Sequence, residues 1–149
     1  VKRMINPYLE RTIGYGENQF AYREQRGARD VLALLILNWI TVIINRDKIA
    51  FYGSDVSGAF DRVNAKRLAH KLRAKEINKR MVALLISCLE HRVAKVVFSE
   101  AYVLANQVFQ GTVLGPILWN VFFEDSCLPI RAAGFNDLTF ADDLSAWRE

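Results

Sequence analysis

Asp142 and Asp143 stand side by side in the pentapeptide FADDL, and Asp55 closes the run IAFYGSD. Two adjacent carboxylates in an apolar setting repel each other and lose solvation, so they need a cation or water to compensate. Adjacent aspartates also arise by chance, and the setting is what gives this pair weight. Phe140 and Leu144 on either side are core-type residues, so the pair is expected at a tight turn projecting from a sheet. Asp55 is the natural third acid, because it too ends a short apolar and aromatic run. Three carboxylates converging at strand ends offer the hard oxygen donors that suit Mg²⁺, with Mn²⁺ as a substitute.

The elements that must position these acids can be read from the pattern around them. Residues 49–54 read as a strand that delivers Asp55, and residues 138–140 and 144–147 as two short strands flanking Ala141-Asp142-Asp143. Upstream, residues 29–45 read as a largely buried helix, with Asp30 in its first turn where a carboxylate suits the helix dipole. Its apolar stretch, 31–44, is broken by Asn38 and Thr41 and falls short of the roughly 20 residues that a membrane span needs. Residues 64–80 are helical and basic, with Leu68 and Leu72 inward and Lys66, Arg67, Lys71 and Arg73 outward. A break near Asn78 precedes a second helix through Met81 and Leu85. The basic run is either a solvated face or a phosphate-contacting surface, and the pattern does not choose. Residues 93–98 and 102–108 fit a hairpin. Gly111, Gly115 and Pro116 then interrupt regular structure, and residues 117–123 resume as an apolar helix, with Pro tolerated in its first turn. Strands interleaved with helices, without a repeat, indicate an α+β or α/β unit.

Composition bounds the remaining choices. At 149 residues, 52% hydrophobic and 24% charged, the chain suits one ordinary domain with a real core. A net charge of +4 leans mildly towards polyanionic partners. Cys88 and Cys127 form no CxxC motif. They are too few for a disulfide scaffold or a thiolate metal site and read as small buried hydrophobes in a reduced, intracellular protein, nuclear or cytoplasmic. His70 and His91 have no second ligand at metal spacing and read as surface residues; Trp39, Trp119 and Trp147 read as core. The opening residues carry no apolar signal-peptide core and do not start with Met, as expected of a fragment.

Four blocks carry a resemblance. YGSDVSGAFDRV (52–63), VFQGTVLGPILWNVFF (108–123) and TFADDLSAW (139–147) resemble motifs A, B and C of the reverse transcriptase family, of the non-LTR retrotransposon and group II intron type. They appear in the family's order. NQFAYREQRGARD (18–30) is similar to its fingers segment. The resemblance spans about residues 18–147. It implies a partial right-hand polymerase of the α+β class, with about 1–47 as fingers segment and leading helix, 48–149 as palm, and no thumb.

The activity implied is RNA-directed DNA polymerisation, in which dNTPs are transferred to a DNA primer 3′-hydroxyl on an RNA template with two Mg²⁺ ions, without a membrane partner. By the same resemblance Asp55, Asp142 and Asp143 are the catalytic, metal-binding acids, and Phe60 is the aromatic that closes off the 2′ position. Gln110 and Gly111 lie against the nascent base pair, and Arg23 meets the incoming triphosphate, with Arg26 and Arg29 as weaker candidates. Asp61 is expected as a cap or ion-pair partner, and Asn120 as either a polar contact or a satisfied helix residue. Phe109 stands where the family commonly has Pro, and Gly58 where it often has a basic residue. The chain ends six residues after Asp143, before the later palm strands and thumb, so processive synthesis by it alone is not expected. Two rival readings follow from the same residues. One is a retroelement relic or truncated product that binds nucleic acid without catalysis. The other is a Mg²⁺-dependent phosphotransfer domain, which leaves Phe60, Gln110 and Gly111 without a role.

Overall fold

Strands distant in sequence pair in a computed structural model, which describes residues 1–12, 14–90, 92–95, 101–104, 107–108 and 110–149, with backbone only over 92–95 and 101–104. His91, Phe109 and residues 96–100 of the expected hairpin lie outside the described residues. The chain divides into two units, Val1–Ser57 with Phe123–Glu149, and Gly58–Phe122.

The first unit contains α1 (Lys2–Arg11), α2 (Ala28–Ile44) and β1 (Ala50–Ser54), then a 3-10 turn (Glu124–Cys127), α6 (Leu128–Ala132), β4 (Asn136–Phe140) and β5 (Asp143–Arg148). Asp137, Leu138 and Thr139 of β4 are buried, as are Leu144, Ala146 and Trp147 of β5. The three strands form an antiparallel sheet in the order β1-β5-β4. Val31 and Leu35 of α2 pack with Leu138 and Trp147, and Trp39 and Ile49 extend the cluster. Behind β4, the buried carboxylate of Asp137 accepts two hydrogen bonds from Arg131 of α6. Its charge and burial push the Cys127 thiol up to about 12, burial being the larger cause, so this cysteine stays a protonated core residue at neutral pH.

The expectation of a largely buried α2 is corrected. Only Val31, Leu35 and Val42 are buried, whereas Leu32, Leu37 and Ile44 are 60%, 62% and 73% exposed. A helix that is apolar on every side carries no periodic signal of which face is inward. Here one stripe meets the sheet. Phe51 and Tyr52 of β1 are exposed as well. No helix among the described residues is long and apolar enough to cross a membrane.

The second unit contains a 3-10 turn (Ala59–Arg62), α3 (Ala65–Ala74), α4 (Lys79–Ser87), the antiparallel pair β2 (Arg92–Lys95) and β3 (Ala101–Leu104), and α5 (Gly115–Phe123), whose last residue belongs to the first unit. The two basic-run helices start where polar caps permit. The Asn64 side chain accepts the Arg67 N–H at 3.1 Å, and the Asn78 side chain accepts the Arg80 N–H at 2.9 Å, each satisfying a donor that a helix start leaves open. Leu68 and Leu72 are fully buried, as are Val82 and Leu85 on α4. Thr112 opens α5 by accepting the Gly115 N–H at 3.2 Å, and Pro116 falls in the first turn. Trp119 is buried here and Trp147 in the first unit. Cys88 is exposed at the C-cap of α4, against the expectation of burial. The inward stripe through Val82, Leu85 and Leu89 leaves that position on the outer side.

Candidate active site

Strand register brings the acids together. Ser54 pairs with Leu144 across β1 and β5, and Phe140 pairs with Asp143 across β4 and β5. Continued one residue past Ser54, the antiparallel register sets Asp55 beside Asp143, with Asp142 in the connection. Asp142 is half-buried, while Asp55 and Asp143 are exposed. Burial raises the Asp142 carboxyl above its ordinary value, and the charges of Asp55 and Asp143 and a hydrogen bond with Asp55 raise it further, against the lowering effect of its own backbone. The carboxylates therefore act on one another as like charges.

Among the described residues, no three His, Cys, Asp or Glu side chains are drawn close enough to enclose an ion. The acids stand as neighbours, and a shared proton or a hard divalent cation are two ways to relieve their repulsion. Their all-oxygen chemistry fits Mg²⁺. Beside them an open, mostly apolar cleft of roughly 540 Å³ is lined by Val31, Leu35, Gly53, Asp55, Asp143 and Leu144.

The connection that carries Asp142 bends sharply. Ala141 has φ 59°, a left-handed conformation that costs a residue with a side chain roughly 1–2 kcal/mol. Gln19 meets it from the other end of the chain. Its Oε1 accepts the Ala141 N–H at 2.9 Å, and its Nε2 donates to the Ala141 carbonyl at 3.1 Å. The flanking backbone is docked on β4: Phe20 N–H donates to the Thr139 carbonyl at 2.9 Å, and Thr139 N–H donates to the Asn18 carbonyl at 2.8 Å. The pairing of Gln19 with Thr139 is parallel. Sequence reasoning placed Gln19 in the fingers-like block without giving it a task, and its 4% exposure has no local signature.

Arg23 is placed differently from the expectation of a cation open to a triphosphate. Its side chain is 5% exposed and forms a 2.7 Å ion pair with Glu10. It also donates to the carbonyls of Gly16 and Gln19 at 2.7 and 3.3 Å. Buried charge is retained only when paired in this way, so the guanidinium is taken up in folding the loop. Arg26 donates to the carbonyls of Glu17 and Gln19 and lies over the Phe20 ring. Arg29 is exposed.

The remaining candidates belong to the second unit. Phe60 is half-buried, with its ring 5.8 Å from that of Trp119, and its carbonyl accepts the Val108 N–H at 2.9 Å. This hydrogen bond brings the start of the second block to Phe60. Gln110 and Gly111 form an exposed turn, and Gly111 has φ 84°, which favours glycine. Asp61 is exposed in the first turn of its 3-10 helix, and Asn120 is buried on α5. Lys66, Arg67, His70 and Arg73 are exposed on α3. Lys71 departs from this set: it is half-buried, donates to the Phe122 carbonyl, and lies 4.9 Å over the Phe122 ring.

A family model described as reverse transcriptase (RNA-dependent DNA polymerase) matches residues 1–146. Among solved structures, telomerase from Candida albicans in complex with a fragment of telomeric RNA is similar in fold, with a TM-score of 0.67 at 13% identity. The similarity covers 98% of this chain and 29% of that one. No curated protein matches in sequence.

Proposed function

The chain belongs to the reverse transcriptase family, and from that premise we propose that it is the palm core, with part of the fingers, of an RNA-directed DNA polymerase of a non-LTR or group II-like retroelement. The observation that carries this reading is the meeting of Asp55, Asp142 and Asp143 at the ends of antiparallel strands, with Asp142 raised by burial and further by its two acidic neighbours. These three carboxylates would hold two Mg²⁺ ions, or Mn²⁺ in their place, which when bound activate the primer 3′-hydroxyl and neutralise the leaving pyrophosphate. The chain's own contribution is to fix the carboxylates on a sheet rather than on a free loop, and to keep Asp142 half out of water, where charge interactions are stronger. RNA template, DNA primer and dNTP are the partners in this reading.

Asp142→Asn in the polymerase that carries this chain is expected to abolish template-directed primer extension while leaving the circular dichroism unchanged and the melting temperature no lower than that of the wild type. Extension retained at the wild-type rate would overturn the assignment, and RNA binding without extension by the unaltered polymerase would favour the relic reading.

Phe60 is read as the residue that excludes the ribose 2′-hydroxyl. Its support is that Trp119 holds one side of the ring while the ring stays partly exposed. Phe60→Val is expected to raise ribonucleotide use relative to deoxynucleotide use on the order of tenfold, the scale at which a purely steric pocket discriminates. Competitive single-nucleotide incorporation measures this, and an unchanged ratio would remove Phe60 from the role.

A further inference from the structure

We propose that Gln19 is a positioning residue that sets the turn presenting Asp142 and Asp143; its consequence for metal binding rests on the reading of those acids as ligands. One side-chain amide grips one peptide residue from both sides, accepting the Ala141 N–H and donating to the Ala141 carbonyl. Oε1 also accepts the Ala21 N–H at 3.0 Å. With two N–H donors on the oxygen and a carbonyl on the nitrogen, only one orientation of the amide satisfies every group. Gln19 is 4% exposed, so water does not stand ready to replace these bonds, and leaving their partners unmade is costly.

Ala141 needs such a grip. A residue with a side chain at φ 59° persists where the surroundings over-determine it, and here both its backbone polar groups are held by a single side chain. That side chain is itself fixed. Asn18 and Phe20 are bonded to Thr139 on β4, and Arg23 and Arg26 both donate to the Gln19 carbonyl. The chain of hydrogen bonds runs from the loop through Gln19 to Ala141 and stops one residue short of Asp142. Gln19 thus acts on the acids through the peptide that aims them.

The test is made on the chain itself with Gln19→Met, which keeps the length and removes the amide. Arg131→Met is the control, because it strips buried Asp137 of its partner in the same unit without touching the turn. Amide hydrogen exchange of Ala141 is read relative to Ala146 in the middle of β5, and Mn²⁺ affinity is read by electron paramagnetic resonance. In Gln19→Met the relative protection of Ala141 and the Mn²⁺ affinity are each expected to fall about tenfold or more, the scale of a buried hydrogen-bonded group left unpaired. Arg131→Met should leave both within about twofold. Unchanged relative protection in Gln19→Met overturns the proposal, and so does unchanged Mn²⁺ affinity with reduced protection. Should Gln19→Met not fold, Gln19→Glu keeps the acceptor and removes the donor. An intermediate fall in protection then supports the proposal, and none overturns it. If the wild type binds no Mn²⁺, or Asp142→Asn binds it equally well, the metal reading fails, and Ala141 exchange alone decides whether Gln19 holds the turn.

Discussion

Asp142 sits half out of water between two other acids, and its raised carboxyl has a consequence for stability that is separate from any chemistry. A carboxyl whose folded pKa lies above its unfolded value of roughly 3.9 favours the fold in its protonated form. That stability is fully present below about pH 3.9 and is lost as the pH rises through the folded value. At neutral pH the raised Asp142 carboxyl is therefore a cost to the fold, with burial as the larger cause and Asp55 and Asp143 adding to it. In a buffer with chelator, Asp142→Asn is expected to melt at or above the wild-type temperature at pH 7, with the difference closing below about pH 4. Calorimetry across that range checks it, and a lower melting temperature at pH 7 would contradict the repulsion. The acids were legible in the sequence because everything that marks them is local: adjacency, apolar flanks and strand-like runs. Gln19 and Arg23 were not. Gln19 meets its partner 122 positions away, and nothing local marks Arg23 as buried until its pairing with Glu10 is seen.

At the scale of elements, α2 shows where periodicity stops being informative. Its limits were readable to within a residue, since Asp30 accepts the Gly27 N–H at 2.7 Å at one end and the apolar run ends at the other. Its burial was not readable, because a helix apolar on all sides offers the same pattern whether one face or all faces are covered. The structure divides the helix sharply. Leu35→Ala is expected to destabilise the first unit by about 2–5 kcal/mol, as for a buried leucine that leaves a cavity. Leu37→Ala, on an exposed position, should stay within about 0.5 kcal/mol. Paired denaturant titrations of the two variants test this, and equal losses would mean that Leu37 is covered. The helices on either side of Asn78 were legible for the opposite reason: Asn64 and Asn78 mark their starts, and each helix has a single inward stripe.

For the molecule as a whole, charge and chain path are the two properties that matter. Lys66, Arg67 and Arg73 lie exposed on α3 with His70 between them, while Lys71 is occupied by Phe122. If that face meets RNA, replacing the three exposed cations by Gln leaves up to three phosphates without a neutralising partner. The slope of log affinity against log salt should then become shallower by roughly 0.7 for each such phosphate. Binding titrations at several salt concentrations measure it, and an unchanged slope would return α3 to an ordinary solvated face. Lys71→Gln should leave the slope as it is.

Chain path sets the order in which the acidic turn can be finished. The first unit is discontinuous, and all of Gly58–Phe122 is threaded between its halves. Gln19 is synthesised 122 positions ahead of Ala141. Pairings that distant are slow, because the entropy of loop closure must be met before any long-range interaction rewards it. A nascent chain therefore carries its clamp long before there is a turn to hold. The acids are not aimed until two segments 122 positions apart have found each other, which makes the geometry of this turn a late event of folding rather than an early one.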